Sequence, residues 1–305
     1  MHANRRTLVI VNPVSAGGTT ERRWPRIRDL LAASLPFDSA ISEYAGHAIQ
    51  LGKTGRDEGY DCLVCVGGDG TVNEVVNGAL SGDARRPMPS IGLIPSGTGS
   101  DLARSLGIPH RMEEACRRLA DPRATLSDLG VVSYVGREGP EHRYFVNAAG
   151  LGYDAEVVYR RNGFNRFVRG TIPYVASLAV TLFGYRNKDV RIALDGVSHA
   201  RRISLLVVGI GRYFGGGMRI APGAVLNDGY FDVITVGDAG RIELVRNLPG
   251  VYRGTHLQNP KVKCERAAEV RVETDDRLMV QADGDLLGLA PAQFQIVHRA
   301  LTILY

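Results

Sequence analysis

The chain has few cysteines, no long apolar run and no sustained run of one charge. Each shortage excludes something. Four cysteines in 305 residues do not make a disulfide framework, and a reducing cytoplasm suits them. Cys62 and Cys65 have Cys-x-x-Cys spacing, but they sit in an apolar run. There an odd separation sends them to opposite faces of a strand, so they read as core cysteines, not as a redox pair or zinc site. No segment reaches the ~20 apolar residues that a membrane helix needs. Met1 to Arg6 is polar, unlike a secretory signal. The expected location is therefore cytoplasmic, peripheral to the inner face of the membrane. Basic residues come in pairs, such as Arg22-Arg23 and Arg201-Arg202, not in long runs. Nucleic acid is thus not the expected partner. A net charge of +5 favours approach to an anionic membrane surface. Internal repeats and low-complexity linkers are also missing, and a hydrophobic fraction of 44% is ample for real cores.

Two familiar phosphate motifs are absent as well. After the apolar run Leu8 to Val11 comes Asn12-Pro13-Val14-Ser15-Ala16-Gly17-Gly18. It lacks the Gly-Lys-Ser/Thr of a Walker loop and the Gly-x-Gly-x-x-Gly of a dinucleotide site. What the chain does have is Gly67-Gly68-Asp69-Gly70-Thr71-Val72-Asn73-Glu74, following the apolar run that ends at Val66 and leading into an amphipathic stretch to Leu80. Strand, glycine turn and helix in that order place a helix N-terminus, with its unpaired N–H groups, where an anion can approach. Asp69 inside such a cradle repels phosphate unless a cation lies between them, which suggests a nucleotide phosphate site working with a divalent metal. A second element, Pro95-Ser96-Gly97-Thr98-Gly99-Ser100-Asp101, again follows an apolar run and leads into a helical pattern. Asp101 is placed to cap that helix. Two such turns on one parallel sheet lie side by side at the carboxyl ends of their strands.

Residues 7 to about 122 alternate apolar runs, at 7–12, 37–43, 61–66 and 90–94, with helical patterns. That is the signature of a parallel sheet covered by helices. Beyond Asp121-Pro122 strand-like segments dominate: 125–132, 143–149, 189–195, 202–210, 230–236, 260–264, 268–273, 278–282 and 292–298. This half reads as an antiparallel sandwich. A helix is expected over 169–185, preceded by Arg160, Arg161, Arg166 and Arg169. Core packing is its default role, and lipid contact the alternative.

These elements together resemble the diacylglycerol kinase catalytic-domain family of lipid kinases, which includes sphingosine and ceramide kinases, and most of all its soluble bacterial members. The resemblance covers nearly the whole chain. It extends to Val146-Asn147-Ala148-Ala149-Gly150-Leu151-Gly152-Tyr153-Asp154-Ala155, to Gly215 to Pro222 with Asn227-Asp228-Gly229 after it, and to Asp283-Gly284-Asp285. It implies an α/β nucleotide domain of the phosphofructokinase or NAD kinase type over 1–124, to which 298–305 returns. A β-sandwich domain for lipid substrate and metal covers 125–297. It further implies ATP with Mg²⁺, and transfer of the γ-phosphoryl group to the hydroxyl of diacylglycerol or a related lipid. By matching position, Asn12, Ser42, Gly67, Gly68, Asp69, Gly70, Thr71, Asn73, Glu74, Gly97 and Thr98 contact the nucleotide. Asp228 binds magnesium with backbone carbonyls near Val225 and Tyr230, and Asp232 assists through water.

The family's base lies in an Asp-Gly-Glu. Here Asp285 stands where that glutamate is usual, which leaves open whether Asp283 or Asp285 takes the proton, while Asp69 is the candidate for holding the nucleotide-linked metal. Ser100 likewise stands where the family usually has Asn. Apart from the resemblance, Asp228 reads as an Asx turn before Gly229, and Asp283-Gly284 as a hairpin turn. Two other readings stand beside the kinase. One is a non-catalytic protein that binds nucleotide and lipid, kept alive by Asp285. The other is an NAD kinase-like enzyme, similar at Gly67 to Thr71 but opposed by Pro95 to Ala103 and by Asn227-Asp228-Gly229. A homodimer is left open.

Overall fold

The computed structural model describes residues 5–164 and 186–305. The helix expected over 169–185, with Arg166 and Arg169, lies outside the described residues, as do the side chains of Arg160 and Arg161. Contacts divide the chain into two compact units, Met1–Ser127 with Arg299–Tyr305, and Asp128–His298.

The first unit contains β1 (Thr7–Val11), α1 (Ser15–Ala32), β2 (Asp38–Ile41), α2 (His47–Asp57), β3 (Cys62–Gly67), α3 (Asp69–Leu80), β4 (Ser90–Pro95), α4 (Asp101–Ser105) and α5 (Met112–Ala120). The four strands are parallel in the order β2-β1-β3-β4. Every residue of β1 and β3 is buried, as expected of parallel strands covered on both faces. One core packs Val9, Val11, Val64, Val66 and Ile94 against Ile27 and Leu31 of α1 and Leu119 of α5. Cys62 and Cys65 are both buried without a disulfide. Burial pushes the Cys62 thiol up to about 11 and the Cys65 thiol higher still, so both behave as small core hydrophobes.

The second unit holds β5 (Ala124–Val135), β6 (Pro140–Phe145), β7 (Ala148–Gly152), α6 (Tyr153–Phe164), β8 (Lys188–Leu194), β9 (Val197–Ile203), β10 (Leu205–Gly209) and β11 (Phe231–Val236). It continues with α7 (Arg241–Arg253), β12 (Val262–Ala267), β13 (Glu269–Glu273), β14 (Met279–Ala282) and β15 (Asp285–Leu304), with β5 up to Ser127 and β15 from Arg299 belonging to the first unit. Strands β12-β11-β10-β7-β14-β15 form an antiparallel array. β13 pairs with β15 and β8, and β8 pairs with β9. The core between these layers centres on Phe145, Phe231 and Phe294. The Phe145 ring stacks on Phe231 at 5.7 Å and meets Phe294 edge-on at 6.3 Å.

Two expected strands are each two strands in the structure. The run at 143–149 breaks at Val146-Asn147, and that at 202–210 breaks at Ser204. At the second break Ser204 donates its hydroxyl to the Gly237 carbonyl at 2.8 Å. The end of β15 pairs in parallel with β4, Ile303 beside Ile91 and Leu304 beside Gly92.

Candidate active site

In the first unit the glycine turns meet at the carboxyl ends of β3 and β4. Gly67 lies opposite Pro95, and the Gly67 carbonyl accepts from the Ser96 and Gly97 amides at 2.8 and 3.1 Å. The contact is too close for any side chain. A Cβ on Gly97 would stand 2.4 Å from the Gly68 Cα, and one on Gly67 would stand 2.4 Å from the Thr71 hydroxyl. Asn12, at the end of β1, donates its side-chain amide to that Thr71 hydroxyl at 3.0 Å. The Asn12 Oδ1 is buried without a partner among the described residues. Ser42 is buried beside β1, its amide donating to the Val11 carbonyl at 2.8 Å. Thus Asn12, Ser42, Gly67, Gly68, Thr71 and Gly97 come together. Gly70 and Thr98 are exposed, Asn73 is buried in α3, and Glu74 is half-buried. After Asn12 the chain runs through left-handed Ala16, Gly17 and Gly18 before α1 becomes regular.

Asp69 does something the sequence did not suggest. Its carboxylate accepts from the Asp101 amide at 2.9 Å and the Leu102 amide at 3.1 Å. It therefore caps α4 across 32 residues of sequence and ties the two glycine turns together. Asp101, expected as that cap, is already inside the helix. Asp69 thus serves as a clasp between the turns, and each of its oxygens keeps a second lone pair.

In the second unit Asp283 and Gly284 are the two turn residues between β14 and β15, with φ of 48° and 86°. Such a turn suits the twist of a hairpin. The Asp283 carboxylate turns back onto the break between β6 and β7. It accepts from the amides of Val146 at 2.7 Å, Asn147 at 3.0 Å and Ala148 at 3.0 Å. Asp285 is different. Its side chain is 54% exposed, and the Arg143 guanidinium lies 3.7 Å from it. Of the two carboxylates left open by the sequence, Asp285 is exposed, while Asp283 is half-buried and holds backbone.

A polar chain leads inward from this turn. The Gly284 amide donates to Gln281 Oε1 at 3.1 Å, and Gln281 Nε2 donates to Asp154 Oδ2 at 2.9 Å. Asp154 is buried, and its Oδ1 lacks a partner among the described residues. Burial raises its carboxyl from 3.8 to about 6. Because the folded value lies above the unfolded one, stability from this group is full below about pH 4 and is lost as pH rises through about 6. The difference is worth roughly 3 kcal/mol. Asp154→Asn is expected to flatten the stability profile between these pH values, and denaturant melts across that range would test it. An unchanged slope would exclude Asp154 as its source.

The proposed magnesium site is already supplied with a cation. Asp228 Oδ1 accepts from the Tyr230 amide at 3.1 Å, and Oδ2 pairs with Arg266. The Arg266 guanidinium also lies over the Tyr230 ring at 4.8 Å. Nearby Asp128, fully buried and missed by sequence reasoning, accepts from the Gly229 amide at 2.7 Å and contacts His298 Nδ1 at 2.9 Å. Burial raises the Asp232 carboxyl, and the Cys264 thiol donates to it at 3.7 Å. Among the described residues no three metal-ligating side chains converge. A magnesium ion at Val225, Asp228 and Tyr230 would have to displace the Arg266 guanidinium from Asp228. Chelation with EDTA is expected to leave the thermal midpoint of the nucleotide-free chain unmoved, and a lowered midpoint would refute this.

The two units define a class: an α/β glycine-turn unit joined to a β-sandwich, as in kinases that phosphorylate a hydroxyl. Residues 6–132 match the diacylglycerol kinase catalytic domain, and residues 147–305 match the YegS C-terminal NAD kinase beta sandwich-like domain. The chain is 31% identical to a diacylglycerol kinase of Staphylococcus carnosus over 95% of its own length and 92% of that protein. It is 30% identical to one of Staphylococcus aureus over 98% of its length and 92% of that protein. The chain belongs to the diacylglycerol kinase family. Its fold is similar to a diacylglycerol kinase structure from Bacillus anthracis, with a TM-score of 0.72 at 21% identity, covering 99% of this chain and 97% of that one. More distantly it is similar to yeast NADH kinase, with a TM-score of 0.52 at 9% identity over 99% of this chain and 83% of that one.

Proposed function

We propose that this protein is an ATP-dependent lipid kinase that phosphorylates the hydroxyl of diacylglycerol or a close relative, working in the cytoplasm at the inner face of the membrane. The observation that carries this reading is the pair of abutting glycine turns, held by Asp69, in a chain of this family. Backbone amides at Gly68 and Gly70 are the expected phosphate donors, with Asn12, Ser42, Thr71 and Thr98 around the nucleotide and Gly97 allowing its close approach. Asp285 is the proposed base. One of its carboxylate oxygens takes the lipid hydroxyl proton as the oxygen attacks the γ-phosphorus and the bond to ADP breaks. Arg143, 3.7 Å from Asp285, orients that carboxylate. Asp283 is a positioning residue that fixes the backbone carrying it. Magnesium accompanying ATP would neutralise charge on the phosphates.

The test is transfer from γ-labelled ATP, with Mg²⁺, to diacylglycerol, monoacylglycerol, sphingosine and ceramide in mixed micelles, with NAD as soluble control. Label on diacylglycerol is expected. Label on NAD alone would overturn the reading in favour of an NAD kinase-like enzyme. ATP binding without transfer to any acceptor would favour a non-catalytic role.

A further inference from the structure

Helix α7 has an unusual outward face. Its seven exposed residues are Arg241, Ile242, Val245, Arg246, Pro249, Tyr252 and Arg253. At about 100° per residue, Tyr252, Val245, Pro249 and Ile242 fall within an arc of about 80°. Arg241 borders that stripe on one side, and Arg253 and Arg246 border it on the other. Ile242 is 71% exposed and Val245 53%. The inward face anchors the helix. Val251 packs against a buried cluster that includes Val207 and Ile220. The Arg219 amide donates to the Val251 carbonyl at 3.1 Å. Glu243, the helix's one acidic residue, lies off the outward face and pairs with Lys261 at 2.6 Å. The exposed arc therefore contains no carboxylate. Among the described residues none pairs with Arg241, Arg246 or Arg253.

An exposed apolar stripe flanked by arginine on both sides matches what a helix needs to lie in the plane of an anionic bilayer. The apolar groups enter the acyl boundary while the guanidinium groups stay at the phosphates. A second copy of the chain fits poorly. A two-fold contact would set this patch on itself, arginine against arginine, with no acid to relieve it. Nucleic acid would leave Ile242 and Val245 uncovered.

We propose that α7 is the membrane-docking element of this protein, with an anionic phospholipid surface as its partner. This deepens the lipid-kinase reading and rests on it. The experiment is sedimentation of the full chain with vesicles of phosphatidylglycerol and phosphatidylcholine, against phosphatidylcholine alone. The parent is compared with Ile242→Asp/Val245→Asp and with Arg241→Gln/Arg246→Gln/Arg253→Gln. Each arginine near such a surface is worth about fivefold in binding, so the triple variant is expected to bind about a hundredfold more weakly. Both variants should melt as the parent does, since the altered side chains are exposed. Vesicle binding equal to the parent in both variants would overturn the proposal. So would a parent dimer that Ile242→Asp/Val245→Asp dissociates, because the face would then belong to a second copy. Transfer to monomeric short-chain diacylglycerol is measured in parallel. Variants that keep this transfer and lose vesicles support docking by α7. Loss of vesicle binding in the variants of a parent that binds vesicles but phosphorylates no lipid would support docking while removing the kinase assignment.

Discussion

Asp285→Asn is expected to lower phosphoryl transfer by about 10²- to 10⁴-fold, the range for losing a general base, while ATP binding and the thermal midpoint stay near those of the parent. The side chain is 54% exposed, so folding depends on it little. Asp283→Ala should show the opposite pattern. Three amides, of Val146, Asn147 and Ala148, would lose their acceptor. At about 1 kcal/mol or more for each stranded donor, the cost is about 3 kcal/mol of stability. Activity would fall because the turn carrying Asp285 moves. Transfer assays alone cannot separate the two variants, but thermal melts beside them can. If Asp283→Ala melted normally and lost only turnover, the roles would be reversed.

The second large effect belongs to the glycine turns. Gly97→Ala would place a methyl group 2.4 Å from the Gly68 Cα, a backbone atom that cannot rotate away. The turns must then separate, which strains the Asp69 bonds to Asp101 and Leu102. The expected cost is about 1–3 kcal/mol, together with loss of ATP binding. Gly70→Ala is the informative contrast. Nothing lies within 4 Å of that Cβ position, so the fold should stand. A fall in ATP affinity there, read by calorimetry, would mean that phosphate approaches this stretch of backbone. Wild-type ATP affinity in Gly97→Ala would overturn the idea that the abutting turns form the nucleotide site.

The first unit was largely legible because its signals are local. Buried parallel strands make short apolar runs, and β1, β3 and β4 fall within a residue of the runs read from the sequence. The break between β6 and β7 was not legible. It exists because Asp283, more than 130 residues away, draws three consecutive amides out of the ladder. The clasp made by Asp69 was hidden for the same reason: its partners are the amides of a second turn, and a backbone donor leaves no mark in the sequence. The pairing of Asp228 with Arg266, 38 residues on, was equally invisible in the sequence. Asp128 could have been noticed as an acid inside an apolar strand, Leu126 to Val132. Arg143 offered no such clue. Spacing along the chain reveals elements, whereas partnerships between elements appear only once the chain is folded.

The strand order of the first unit also sets a timetable for its making. β4 leaves the ribosome early, but its outer neighbour is the final stretch of β15, Ile303 and Leu304, sealed by the mutual amide bonds of Arg123 and Tyr305 at 2.9 and 3.0 Å. About 200 residues separate the two partners, so at 5–20 residues per second the nascent β4 edge waits roughly 10–40 s for its cover. A bare edge of that kind invites pairing with another chain. The last seven residues thus act as a latch on biosynthesis, and nascent chains lacking them should aggregate through β4.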